Sequence, residues 1–272
     1  MKLHMKSRHE PSLTPVEVFP GDTEEALSVY PEVMSAKYLA SLEYLAAGAR
    51  ALDVNIDPIT KERWRRLAVA SYYIDDFIDT ATNKDEAHVL YELGLRTALG
   101  ETITAGEAAR LYGTKRDPLL LPSIELLRSS VADASPDALG HLRVAALTIN
   151  NIARDKVDID DVTGYIEALH EEVTATVSLI DHTAHEATTG QPGYPKLHEV
   201  MHNAMQVAVF ADSVLDLRDD YEQGVTRVAP TIRHMGRLAL QAVRPARKLV
   251  QPDGSFGASW QMLREVRPYI KR

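Results

Sequence analysis

Residues 207–222 read VAVFADSVLDLRDDYE. Val207, Phe210, Val214, Leu217 and Tyr221 fall at i, i+3, i+7, i+10 and i+14, the spacing of one helix face. Asp212, Asp216 and Asp220 fall at i, i+4 and i+8, one carboxylate per turn on a second face, with Asp219 adjacent. Like charges at i, i+4 destabilise a bare helix by about 0.2–0.5 kcal/mol per pair. Water tolerates two such pairs, whereas a bound cation would make them favourable.

A second stretch repeats the design. Residues 67–80 read LAVASYYIDDFIDT, with Leu67, Ala70, Ile74 and Phe77 as the apolar stripe. Asp75 and Asp79 lie one turn apart on another face, with Asp76 beside them, giving D-D-x-x-D on a helix. Carboxylates at i and i+4 are close enough to share a hard cation such as Mg²⁺. Packing alone does not require three carboxylates so close together. Solvated acidic faces are common, so each pattern alone also suits a plain surface helix.

Outward from these two segments, the chain reads as helical from end to end. Residues 31–52 suit a helix. Asp57–Pro58 is an N-cap with a first-turn proline and opens a helix to about Thr80. Thr104 and Glu107 have capping-box spacing. Ser135–Pro136 opens a helix to about Arg154, and Asp160 or Asp161 opens one to about Ala187. Residues 190–195 are a break. Helices from Tyr194 or Lys196 to Glu222 and from Val228 to Leu249 follow, with a last one holding Trp260 and Ile270. Strand signals are absent. The expected architecture is all-α: a flexible arm over residues 1–22, then a single domain of roughly ten helices over residues 23–272.

Composition narrows the function classes. The chain of 272 residues contains no cysteine, which excludes disulfides, thiolate catalysis and Cys-type zinc or iron–sulfur sites. Its net charge of -9 disfavours a nucleic-acid groove. No apolar run approaches about 18 residues, so no stable membrane insertion is expected. Met1 to Glu10 lacks the apolar core of a signal peptide, so the expected location is cytoplasmic.

Two further motifs compete. His198-Glu199-Val200-Met201-His202 matches H-E-x-x-H, the helical zinc-hydrolase pattern with the Glu as base, but no glycine turn or further nearby histidine follows it. Glu167-x-x-His170 and Glu199-x-x-His202 are the E-x-x-H pairs of helical di-iron proteins, yet they fall on sequential helices. Surface His and Glu on amphipathic helices account for both.

Taken together, the two acidic segments resemble those of the class I isoprenoid synthases, the all-α family of terpene synthases and prenyl diphosphate synthases. Asp75-Asp76-Phe77-Ile78-Asp79 is similar to the family's first aspartate-rich motif. Asp212, Asp216 and Asp220 have the spacing of the terpene synthase motif N-D-x-x-S-x-x-x-E, standing for its Asn, Ser and Glu. Arg267-Pro268-Tyr269 resembles the Arg–Tyr pair near the end of many terpene synthases. Two departures stand out. His170 and Glu171 occupy the stretch after Tyr165 where the family's diphosphate-sensing Arg belongs, and Val173-Thr174 replaces the prenyl synthases' Lys-Thr.

The resemblance implies a helical bundle around a central cavity and a Mg²⁺-dependent terpene synthase acting on an allylic prenyl diphosphate, with a prenyltransferase as the alternative. It assigns three Mg²⁺ ions to Asp75, Asp76, Asp79, Asp212, Asp216 and Asp220. Catalysis would rest on the same acids, Asp76 aside. Diphosphate donors would come from Arg218, Arg227, Arg233, Arg267 and Tyr269. Tyr72, Tyr73, Phe77, Tyr165, Phe210 and Trp260 are candidate walls of a dry pocket, since aromatic faces stabilise cations. A second copy of the chain is a candidate partner.

Overall fold

The computed structural model describes residues 12–13, 36–113, 119–251 and 257. Among them are ten α-helices: α1 (Ala36–Ala51), α2 (Pro58–Thr80), α3 (Lys84–Ala98), α4 (Ala105–Gly113), α5 (Leu120–Ser130), α6 (Pro136–Asp155), α7 (Val162–Thr183), α8 (Glu186–Thr189), α9 (Tyr194–Glu222) and α10 (Ile232–Leu249). The fold is all-α. A 3₁₀ turn, Lys156–Asp158, follows α6. Two strands of two residues each, β1 (Ser12–Leu13) and β2 (Ile103–Thr104), pair antiparallel, Ser12 opposite Thr104. The sequence carries no strand signal there, because two residues are too short to show alternation.

Local chemistry fixes the helix starts. The Asp57 carboxylate accepts from the Ile59 and Thr60 N–H groups at the head of α2, and Pro58 supplies a first-turn φ without wasting a donor. Ser135 caps α6 through the Ala138 N–H, and Asp161 caps α7 through Thr163 and Gly164. At α4 the capping box forms in full: Thr104 N donates to Glu107 at 2.8 Å and Glu107 N donates to Thr104 at 3.2 Å.

Two boundaries differ from the sequence expectation. The seventh helix stops at Thr183 rather than near Ala187, because the chain is captured by a neighbour. The His185 N–H donates to Thr60 Oγ1 at 2.8 Å, and the His185 ring then caps the short α8. The tenth helix begins at Ile232 rather than Val228. Thr226 Oγ1 takes the Val228 N–H, Pro230 follows, and Thr231 provides the cap by accepting from His234 N. The expected arm over 1–22 and the helix around Trp260 fall almost wholly outside the described residues.

Packing divides the apolar residues into two main cores. In the larger, the α2 stripe Leu67, Ala70, Ile74 and Phe77 meets α3, α5 and α6, with Ala175 and Leu179 of α7 at its edge. Gly94 of α3 lies so close to α5 that a Cβ there would overlap Ile124. In the second core, Val162, Tyr165, Ile166 and Leu169 of α7 meet Phe210 and Leu217 of α9 and Leu238 of α10. A smaller cluster joins Ala49 and Val54 to Val173 and Val177 of α7 and to the start of α9. The seventh helix therefore contributes to all three.

Candidate functional site: an acidic ladder beside a half-buried lysine

The second acidic segment forms as a helix face. Phe210 and Leu217 are fully buried and hold α9 against α7 and α10, while the last member of the expected stripe, Tyr221, is exposed. Asp212 and Asp216 are exposed, and neither forms a salt bridge among the described residues. Asp220 is half-buried. Burial pushes its pKa up, and the charges of Asp216, Asp212 and Asp219 push it further, against the opposing pull of Lys156. The i, i+4, i+8 spacing on α9 sets the three rungs along one face.

No motif marks Lys156 in the sequence, where it sits 64 positions before Asp220. It belongs to the 3₁₀ turn after α6, and that turn carries its side chain against α7 and α9. Its ammonium stands 3.6 Å from Glu172 Oε2. Burial lowers the Lys156 pKa, but Glu172, Tyr165 and Asp220 together outweigh it and hold the group charged above its ordinary value. Glu172 Oε2 is otherwise buried without a hydrogen-bond partner. The Tyr165 hydroxyl, buried between α7 and α9, bonds Ser213. One signal could have found this cluster. Glu172 lies seven residues after Tyr165 and seven is two helical turns, so both share the α7 face toward α9.

A cleft of about 310 Å³ opens between α6 and α7 next to this cluster, lined by Thr148, Asn151, Asp155, Lys156, Ile159 and Glu171 among others. A second, of about 220 Å³, lies between α1 and α2 against Trp64 and Arg50. Tyr72, Phe77, Tyr165 and Phe210 line neither of these two clefts. Phe77, Tyr165 and Phe210 are buried in the cores, and Tyr72 packs on the larger one.

The first acidic segment lies on the outer side of α2. Asp75 and Asp79 are exposed and Asp76 is half-buried. Asp79 is 3.9 Å from Lys84 at the start of α3. The second and ninth helices share no extended contact, and α7 touches both. Among the described residues no group of three or more acidic or histidine side chains is arranged to hold a metal ion. As a donor set the two faces nevertheless suit a hard cation, because every ligand on offer is a carboxylate oxygen.

The expected diphosphate donors go elsewhere. Arg218 pairs with Glu222 at 3.0 Å, roughly 200° around α9 from Asp216. Arg227 pairs with Asp158 at 2.6 Å, and Arg233 is exposed on α10. Trp260, Arg267 and Tyr269 lie outside the described residues. Among the described residues, Lys156 is the cation from another element whose charge acts on the ladder.

The rival motifs are engaged in other contacts. His198 Nδ1 lies 3.3 Å from Asp181, whose carboxylate also accepts the Tyr194 hydroxyl at 2.6 Å. Glu199 is held by Lys196 at 3.0 Å and faces Lys248 at 3.8 Å, which leaves it poorly placed as a base. Burial, with His198, Lys248 and His170 nearby, lowers the His202 pKa. His170 meets Gln206, Gln241 and the Phe210 ring rather than a carboxylate. No protein-family model matches the chain, and no curated protein or solved structure matches it.

Proposed function

We propose that the protein is a Mg²⁺-dependent class I terpene synthase that ionises an allylic prenyl diphosphate and releases diphosphate. The observation that carries this reading is the α9 ladder. Two exposed carboxylates without a basic partner and a third raised in pKa by burial and by the acids beside it stand on one face of an all-α chain, and D-D-x-x-D stands on another helix. Such a face is electrostatically unfavourable until a cation is added.

Bound Mg²⁺ would supply Lewis-acid neutralisation of the departing diphosphate. Asp212, Asp216 and Asp220 would hold it on one side and Asp75, Asp76 and Asp79 on the other. Lys156 keeps its charge at the last rung, where it offsets part of the acidic repulsion and presents a donor to an anion. In this reading Lys156 takes over the task for which the α7 stretch offers only His170 and Glu171. Loading then requires the two acidic faces, which share no extended contact in the structure, to approach each other.

The test uses C10 to C20 allylic diphosphates with Mg²⁺, with and without isopentenyl diphosphate. Hydrocarbon or alcohol from the allylic substrate alone supports the cyclase. A product that needs both substrates makes the chain a prenyltransferase. No diphosphate release from any substrate rejects both.

A further inference from the structure

The surface of α10 differs from the rest of this acidic protein. The helix carries Arg233, Arg237, Arg244, Arg247 and Lys248 and no acidic residue, within a chain of net charge -9. Arg233, Arg244 and Arg247 are exposed and form no salt bridge among the described residues. The inner face is spoken for: Leu238 and Pro245 are buried, and Met235 and Ala242 pack on the second core. The outer face still carries large apolar groups. Ile232 is 87% exposed, Leu240 67%, Val250 61% and Val243 39%. At about 100° per residue, these four and the three unpaired arginines fall within an arc of roughly 120°.

We infer that the outer face of α10 docks the protein onto an anionic lipid bilayer surface. Charge complementarity selects the partner. An anionic membrane repels the acidic bulk of the described residues and attracts this strip, which favours one orientation of contact. The apolar residues select lipid over another polyanion. A nucleic-acid backbone offers nothing to Ile232 or Leu240, whereas the headgroup–acyl boundary accepts both the apolar groups and the arginines beside them. No helix among the described residues is long and apolar enough to cross a membrane, so the association is peripheral. It does not depend on the terpene synthase reading.

The experiment is co-sedimentation of the full chain with vesicles of phosphatidylcholine, alone or with roughly a third phosphatidylglycerol. The chain should sediment with the anionic vesicles and stay in solution with the neutral ones. Arg244→Gln with Arg247→Gln should lower partitioning by about thirtyfold. Leu240→Ser with Val243→Ser should lower it independently, and both pairs should keep the wild-type circular dichroism because the side chains are exposed. Three outcomes would overturn the inference: no sedimentation with anionic vesicles, equal sedimentation with neutral ones, or binding to a short DNA duplex in place of vesicles.

Discussion

The ammonium of Lys156 stands 3.6 Å from the Glu172 carboxylate, in the angle between α7 and the acidic face of α9. The pair is mostly shielded from water, and Glu172 Oε2 has no hydrogen bond to replace it. Lys156→Met therefore strands a buried acceptor, and urea denaturation should show a loss of about 1–3 kcal/mol. Adding Glu172→Gln should recover part of the loss if the two act as a pair. Equal and additive losses would show that they do not.

The ladder opposes stability and function. Asp216→Asn removes two i, i+4 repulsions, so the variant should be more stable than wild type by about 0.4–1 kcal/mol. It should also lose Mg²⁺-dependent diphosphate release, as should Asp75→Ala, with the helical signal intact. Millimolar Mg²⁺ should raise the Tm of the wild type and leave Asp216→Asn unmoved. Full activity in either variant would remove the metal assignment.

Acid should weaken the head of α2. Asp57 sits in a part-buried site that raises its pKa, but hydrogen bonds from Thr188, Thr60 and Ile59 outweigh burial and bring it to about 2. A depressed folded pKa gives stability that is fully present above the unfolded value, near 3.9, and is lost as pH falls toward 2. The wild type should lose about 2 kcal/mol over that window through this group, and Asp57→Ala should have lost a similar amount already at pH 7. Identical acid unfolding curves for the two proteins would contradict the assignment.

Gly94→Ala tests the α3–α5 contact. The added methyl overlaps Ile124, which is fully buried and has nowhere to go. Thermal unfolding should show a loss of about 1–3 kcal/mol, and Ile124→Val should relieve part of it in the double variant.

Loading should bring the acidic faces together. The chain has no cysteine, so thiols introduced at Ser71 on α2 and Ala211 on α9, both exposed, are the only sites for spin labels. Mg²⁺ with inorganic diphosphate should shorten the distance between them. No change with both ligands bound would leave the six aspartates as two separate surfaces.

What was legible in the sequence followed local chemistry. Asp57–Pro58, Ser135–Pro136 and Thr104 with Glu107 each placed a helix start, because a cap acts on N–H groups two or three residues away. The α2 stripe identified its buried face correctly. Where contacts cross the chain, the sequence was mute. The end of α7 depends on Thr60, 125 residues before His185. Lys156 acts electrostatically on Asp220 only because the 3₁₀ turn after α6 brings it against α7 and α9. The aromatic residues proposed as pocket walls show why apolar side chains are hard to assign: Phe77, Tyr165 and Phe210 fill the cores with the same periodicity a pocket lining would have.

The seventh helix gives its last turns to the larger core and its first turns to the second. The D-D-x-x-D motif rides on the first of these bodies and the ladder on the second. Their spacing is thus a property of the seam rather than of either block. A slight roll about α7 would change the gap between the acids, and the small cluster where Ala49 and Val54 meet Val173 and the start of α9 would be the packing that resists it. Substitutions along this helix, far from any carboxylate, could then retune the opening as a hinge pin sets the swing of two plates.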